Sequence, residues 1–207
     1  DREGSLWVGT GVSGLNRLRE GKFLTVSTKE GMSNDVVFPI ISDKNGYLWI
    51  GTHEGLNRYN PKDKTWIMLN KENGLSHSGI YTLYEDRNGR IWVGTDDGLN
   101  LLDTSRPDNV TVEKKYLDKH YIPSIYMDKD NAVWVGTFKG LKRKKAGAKD
   151  FEKLTDKDGE PASVVNFMME DRNGHLWLSD LRKGMVEYDG KNYRRIDEKS
   201  GLAGNTV

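Results

Sequence analysis

Apolar residues in this chain come in short runs of about five, bounded by Gly, Asn and Asp, and the runs are too short for amphipathic helices. The clearest stretch opens at Gly74. Ile80-Tyr81-Thr82-Leu83-Tyr84-Glu85 is β-branched and aromatic, which predicts a strand. Asp86-Arg87-Asn88-Gly89 predicts a tight hairpin, because Asn-Gly supplies the positive φ such turns need. Arg90 to Thr95 reads as a second strand, Asp96-Asp97-Gly98 as a second turn and Leu99 to Asp103 as a third strand. After a looser turn at Pro107 and Asp108, Val110 to Tyr116 reads as a fourth.

The same pattern recurs along the whole chain. Trp7-Val8-Gly9-Thr10, Trp49-Ile50-Gly51-Thr52, Trp92-Val93-Gly94-Thr95 and Trp134-Val135-Gly136-Thr137 are followed by a worn copy, Trp177-Leu178-Ser179-Asp180. The steps between Trp residues are 42, 43, 42 and 43 residues, a period that marks a repeat architecture. Asp43-Lys44-Asn45-Gly46 and Asp171-Arg172-Asn173-Gly174 repeat the first hairpin, and Asp128-Lys129-Asp130-Asn131 puts Asn where Gly stands elsewhere.

Four short antiparallel strands per repeat describe one blade of a β-propeller. The expected fold is therefore all-β, a propeller fragment of about five four-stranded antiparallel blades. Residues 1–30 form a partial blade, 31–73, 74–117, 118–158 and 159–200 form blades, and 201–207 start the next. The Trp strand is apolar on both faces, which suits a sheet sandwiched between two neighbours. The Gly after each Trp is expected to leave room for a close approach. The chain opens in mid-repeat at Asp1 and closes on the start of another, so it reads as a piece of a longer array whose strand edges invite pairing, including a homodimer, with a small ring closed by the tail on the first blade as the alternative.

Composition narrows the chemistry. Net charge is +1 from 32 basic and 31 acidic residues, so there is no bulk attraction to nucleic acid. Mean hydropathy is −0.74. No apolar run is long enough to span a bilayer, and no secretory leader is visible. Cysteine is absent, which removes disulfides and thiolate metal sites. The four His residues lack zinc-site spacing, and no nucleophile elbow or phosphate-binding loop appears. The Asp-x-Asn-Gly segments lack the twelfth-position Glu of a calcium loop and stand where a hairpin is needed. Catalytic residues, metal ligands and cofactors are accordingly not expected. Lys142-Arg143-Lys144-Lys145 reads as a solvated edge that discourages pairing, and Ser179-Asp180 as drift in the fifth copy.

In a propeller the loop leading into the first strand and the loop between second and third strands share one face. On that rim the repeats diverge, and the candidate ligand contacts are Asn34, His53, His77, Asp96, His120, Tyr121, Phe138 and Arg182. Polar and aromatic residues together suit a sugar, whose hydroxyls need hydrogen bonds and whose ring faces need aromatic partners.

The segment Asp43-Lys44-Asn45-Gly46-Tyr47-Leu48-Trp49-Ile50-Gly51-Thr52-His53-Glu54-Gly55-Leu56-Asn57-Arg58, with Gly-Leu-Ser before a following copy, resembles the two-component regulator propeller repeat. The resemblance covers nearly the whole chain. It implies a seven-bladed array in the periplasmic sensor region of a hybrid histidine kinase, with further propeller repeats and a downstream signalling domain as partners. It also implies an oligosaccharide or other small ligand. The fold is similar, too, to streptogramin lyases, an enzymatic alternative for which His53 and His77 are the available pair. A protein-binding scaffold is the third reading. Ligand identity, full blade count and output domain are not written in these residues.

Overall fold

The structure is a computed structural model that describes residues 4–19, 22–155, 162–181 and 183–206. The chain divides into two compact units, Asp1–Lys119 and His120–Val207. The first holds a three-stranded sheet, β1 (Leu6–Gly9), β2 (Leu15–Arg19) and β3 (Lys22–Val26), and two four-stranded sheets. These are β4 (Val37–Ser42), β5 (Leu48–Thr52), β6 (Leu56–Asn60), β7 (Thr65–Leu69), and β8 (Ile80–Glu85), β9 (Ile91–Thr95), β10 (Gly98–Arg106), β11 (Asn109–Tyr116). The second unit holds two more: β12 (Ser124–Met127), β13 (Val133–Thr137), β14 (Gly140–Lys144), β15 (Glu152–Lys153), and β16 (Val165–Glu170), β17 (Leu176–Asp180), β18 (Gly184–Tyr188), β19 (Tyr193–Ile196). Every sheet runs in sequence order with antiparallel neighbours, the up-and-down blade that the turn spacing predicts. Two short 3-10 turns, Thr28–Glu30 and Glu198–Ser200, are additions to that reading; each is N-capped and closes on a left-handed Gly.

The Asp of the hairpin does more than turn the chain. Asp43 Oδ1 accepts the backbone N–H groups of Asn45 and Tyr47, and its Oδ2 accepts the indole N–H of Trp49 at 2.8 Å. Asp128 holds Trp134 in the same way at 2.7 Å and Asp171 holds Trp177 at 3.0 Å. A Trp buried in a blade core keeps a polar N–H that must find an acceptor. The carboxylate six residues earlier supplies it, so hairpin and core strand are one motif. The hairpin closes on a left-handed residue, Gly46 at φ 89° and Asn131 at φ 61°, as the Asn substitution predicts.

The rest of the tetrapeptide has equally local reasons. Thr52 Oγ1 donates to Gly55 O at 2.9 Å, and Thr95 and Thr137 do the same to Gly98 and Gly140, which pins the turn into the third strand. A Cβ on Gly51 would stand 2.6 Å from Pro39 Cγ and 2.7 Å from Ile80 Cγ2, inside van der Waals contact. That glycine lets the first strand of the next sheet pack against β5. Residues of β5 and β9 are buried throughout, Trp49 and Ile50 fully. Each fully buried aliphatic side chain contributes ~1.5–3 kcal/mol. The cores therefore lie between successive sheets: Trp49, Leu56, Ile80 and Val93 in one cluster of the first unit, Trp134, Leu141, Val165 and Leu178 in the second.

Candidate functional site

A local irregularity builds the rim of the first unit. β4 pairs Val37 with Thr52 and then Ile40 with Ile50, so Phe38 and Pro39 stand opposite Gly51. In β8 the pairing jumps from Ile80–Thr95 to Thr82–Gly94, which leaves Tyr81 unpaired in the ladder. A bulge of this kind re-aims the side chain it carries. The Phe38 and Tyr81 rings stand 5.2 Å apart, and Phe38 remains 42% exposed. His53, on the turn between β5 and β6, closes the group at 5.1 Å from Phe38 and 6.4 Å from Tyr81.

Polar groups flank these rings. The Tyr81 hydroxyl hydrogen-bonds Asp96, and burial, followed by the Asp96 charge, raises the pKa of the phenol. His77 Nδ1 lies 3.3 Å from Asp96 Oδ2, and both side chains are a little over one-third exposed. The same Nδ1 accepts the Gly79 N–H at 3.1 Å. The result is an aromatic platform, Phe38, His53 and Tyr81, next to a carboxylate and a second imidazole.

The sequence-predicted candidates thus separate. His53, His77 and Asp96 come together, whereas Asn34 accepts the Val36 N–H at 2.7 Å as a turn residue. Its neighbour Asp35 holds Thr28 N at 2.7 Å. In the second unit Tyr121 and Phe138 pair at 4.6 Å, with Phe138 52% exposed, and the adjacent His120 is partly buried. Arg182 lies outside the described residues. Sequence reasoning missed Phe38, which it did not single out, and Tyr81, which it placed inside a strand. The signal that finds them is an aromatic residue directly after the buried aliphatic residue that opens the first strand, Val37-Phe38 and Ile80-Tyr81.

Buried Asn residues fix the loops that carry this rim. Asn57 Oδ1 accepts Ser33 N at 2.9 Å, and its Nδ2 donates to Ser33 Oγ at 2.8 Å. Asn100 accepts both Ser76 N and Ser76 Oγ. The fifth copy departs from the pattern for a visible reason. Asp180, fully buried in the Thr position, accepts Ser163 N at 3.0 Å and faces Arg195 at 3.5 Å, and Ser179 Oγ accepts the Phe167 N–H at 3.0 Å. Among the described residues no group of three or more His, Asp or Glu is placed to hold a metal ion.

Blades of this build, repeated on a 42–43-residue period, define a propeller repeat protein. The family model for the two-component regulator propeller matches three segments of the chain, residues 31–54, 74–97 and 116–139. Among solved structures it is similar to the extracellular domain of a protein described as a hybrid two component system from B. thetaiotaomicron, with TM-score 0.78 and 20% identity over 98% of this chain and 28% of that one. A second such domain from the same organism gives TM-score 0.78 and 21% identity over 95% of this chain and 30% of that one. Virginiamycin B lyase from Staphylococcus aureus gives TM-score 0.72 and 14% identity over 95% of this chain and 67% of that one. At these identities the likeness is one of fold. The chain spans about three tenths of the length of the two extracellular domains. No curated protein matches it.

Proposed function

We propose that this chain is part of the extracytoplasmic ligand-sensing region of a two-component receptor, that it has no catalysis of its own, and that it recognises an oligosaccharide at the rim. The observation that carries the reading is the convergence of Phe38, His53 and Tyr81 with Asp96 and His77 on blades of this repeat family. The apolar face of a pyranose stacks on the exposed Phe38 ring. Its hydroxyls are accepted by Asp96 and donated to by the His77 imidazole. Binding biases the placement of further propeller repeats and of a following domain, and a kinase outside this chain reads the change. The fold likeness to extracellular domains of two-component systems supports the location outside the cytoplasm.

The test is a glycan screen of the full receptor, followed by Phe38→Ala, Tyr81→Ala and Asp96→Asn. Loss of glycan response in these variants with wild-type expression supports the rim, and an unchanged response removes it. A second reading, a lyase, draws on the likeness to virginiamycin B lyase and on the His77–Asp96 pair at 3.3 Å. Turnover of a cyclic ester that disappears in His77→Ala would establish it.

A further inference from the structure

The other end of the second unit's blades carries a cleft of about 330 Å³, within the ~300–1,000 Å³ typical of small-molecule sites. It opens between sheets β12–β15 and β16–β19, at their hairpins, and so at the end of the blades away from the Tyr121–Phe138 pair. Glu170, Tyr126, Arg143, Asn173 and Asp189 line it around the edge of Trp134. Glu170 accepts the Tyr126 hydroxyl across the two sheets.

The equivalent groove of the first unit, between β4–β7 and β8–β11, is bridged. Lys44 Nζ donates to Asn88 O at 3.0 Å, and Lys44 N donates to Glu85 at 3.1 Å; its counterpart Lys129 is retained and lines the cleft of the second unit. Arg58 lies 4.4 Å over the Tyr47 ring and donates to the carbonyl of Pro107, at the tip of the long β10–β11 hairpin. Three changes distinguish the second unit. Ala132 stands where Tyr47 stands. The β18–β19 turn is short, with Asp189 N bonded to Asn192 O. Arg143 lies over Trp134 as its counterpart Arg58 lies over Trp49, but it pairs with Glu152 of its own sheet at 2.8 Å.

We propose that this cleft is a second ligand site, and that it takes a hexose-sized molecule with vicinal hydroxyls. Its polar walls include the carboxylates of Asp128, Asp130, Glu170 and Asp189, the Asn173 amide and the Arg143 guanidinium, all planar groups. Carboxylates and an amide present two polar atoms at fixed spacing, the complement of two adjacent hydroxyls, while Arg143 keeps Nε and Nη2 on Glu152. Its rings are already in use: Trp134 is covered by Arg143 and Tyr188, and Tyr188 stacks on Tyr193 at 4.5 Å. Ligand therefore meets ring edges and polar heads, which suits a polyol better than a flat aromatic. The site is independent of the rim.

Saturation-transfer NMR and calorimetry with glucose, galactose and mannose test it on the whole chain. At least one hexose binds with Kd in the mM range, as expected for a few hydrogen bonds in an open cleft. Glu170→Gln and Ala132→Tyr, which restores the ring of the bridged groove, each weaken that binding about tenfold or more, a loss of ~1.4 kcal/mol. Phe38→Ala, which removes the stacking ring of the rim, leaves the Glu170-dependent part of that binding in place. No binding by any of the three sugars overturns the proposal, as does binding that survives Glu170→Gln in a folded protein. Loss of binding in Phe38→Ala assigns the sugar to the rim instead.

Discussion

The two inter-sheet grooves are built from the same repeat positions and finish differently. Trp49 and Trp134 are equivalent, as are Arg58 and Arg143, and each Arg side chain lies over its Trp. What differs is the length of the next blade's outer hairpin. Where β10 runs on to Arg106, a carbonyl reaches Arg58 and the guanidinium is buried to 5% exposure. Where β18 stops at Tyr188, Arg143 finds its partner on its own blade and a cleft remains. A repeat fixes the core and leaves the filling of its grooves to the outer strands, where one hairpin decides between structural bridge and open site.

The largest test of this equivalence is removal of the shared Trp. Trp49→Ala and Trp134→Ala should each cost ~3–5 kcal/mol in urea unfolding, because both rings are buried, at 0% and 4% exposure. A much smaller loss for Trp134 would mean that the open groove relaxes around the gap. Next come the arginines. Arg58→Ala should cost ~2–3 kcal/mol, since it removes a buried charge-assisted hydrogen bond and a ring stack. Arg143→Ala should cost about 1 kcal/mol, because Glu152 is half-exposed. Equal losses would refute the distinction between bridge and open cleft. Asp128→Ala should cost ~1–3 kcal/mol by orphaning the Trp134 indole and two backbone N–H groups.

The smallest effect is on pH. The Trp177 indole, then the backbone of His175, holds the Asp171 pKa below the usual carboxylate range, and His175 followed by Arg194 does the same for Glu187. A depressed folded pKa contributes stability above the unfolded value, near 4, and that contribution is lost as pH falls through the folded value. Melting temperature should thus be flat from neutrality to about pH 5 and fall below about pH 4. Asp171→Asn should flatten that acid limb.

How much of this was legible in advance can be judged residue by residue. Ile80 to Glu85 and the Asp86–Gly89 hairpin stand where alternation and Asn-Gly place them. Ser33 and Ser76 do not announce their buried Asn partners, 24 residues further on. Nor does Asp43 announce that its second oxygen belongs to Trp49. Of the rim, His53, His77 and Asp96 were visible because the repeats diverge there, while Tyr81 looked like an ordinary strand residue and Phe38 was not singled out.

The sequence alone determined the period, the blade, the turns and the buried Trp strands, because these follow from side-chain alternation and from the backbone freedom of Gly and Asn over a few residues. Only the tertiary structure decided which rim residues share a ring platform and which groove stays open. Both depend on bulges and hairpin reach that bring together residues such as Arg58 and Pro107, 49 positions apart, through packing that no local pattern encodes.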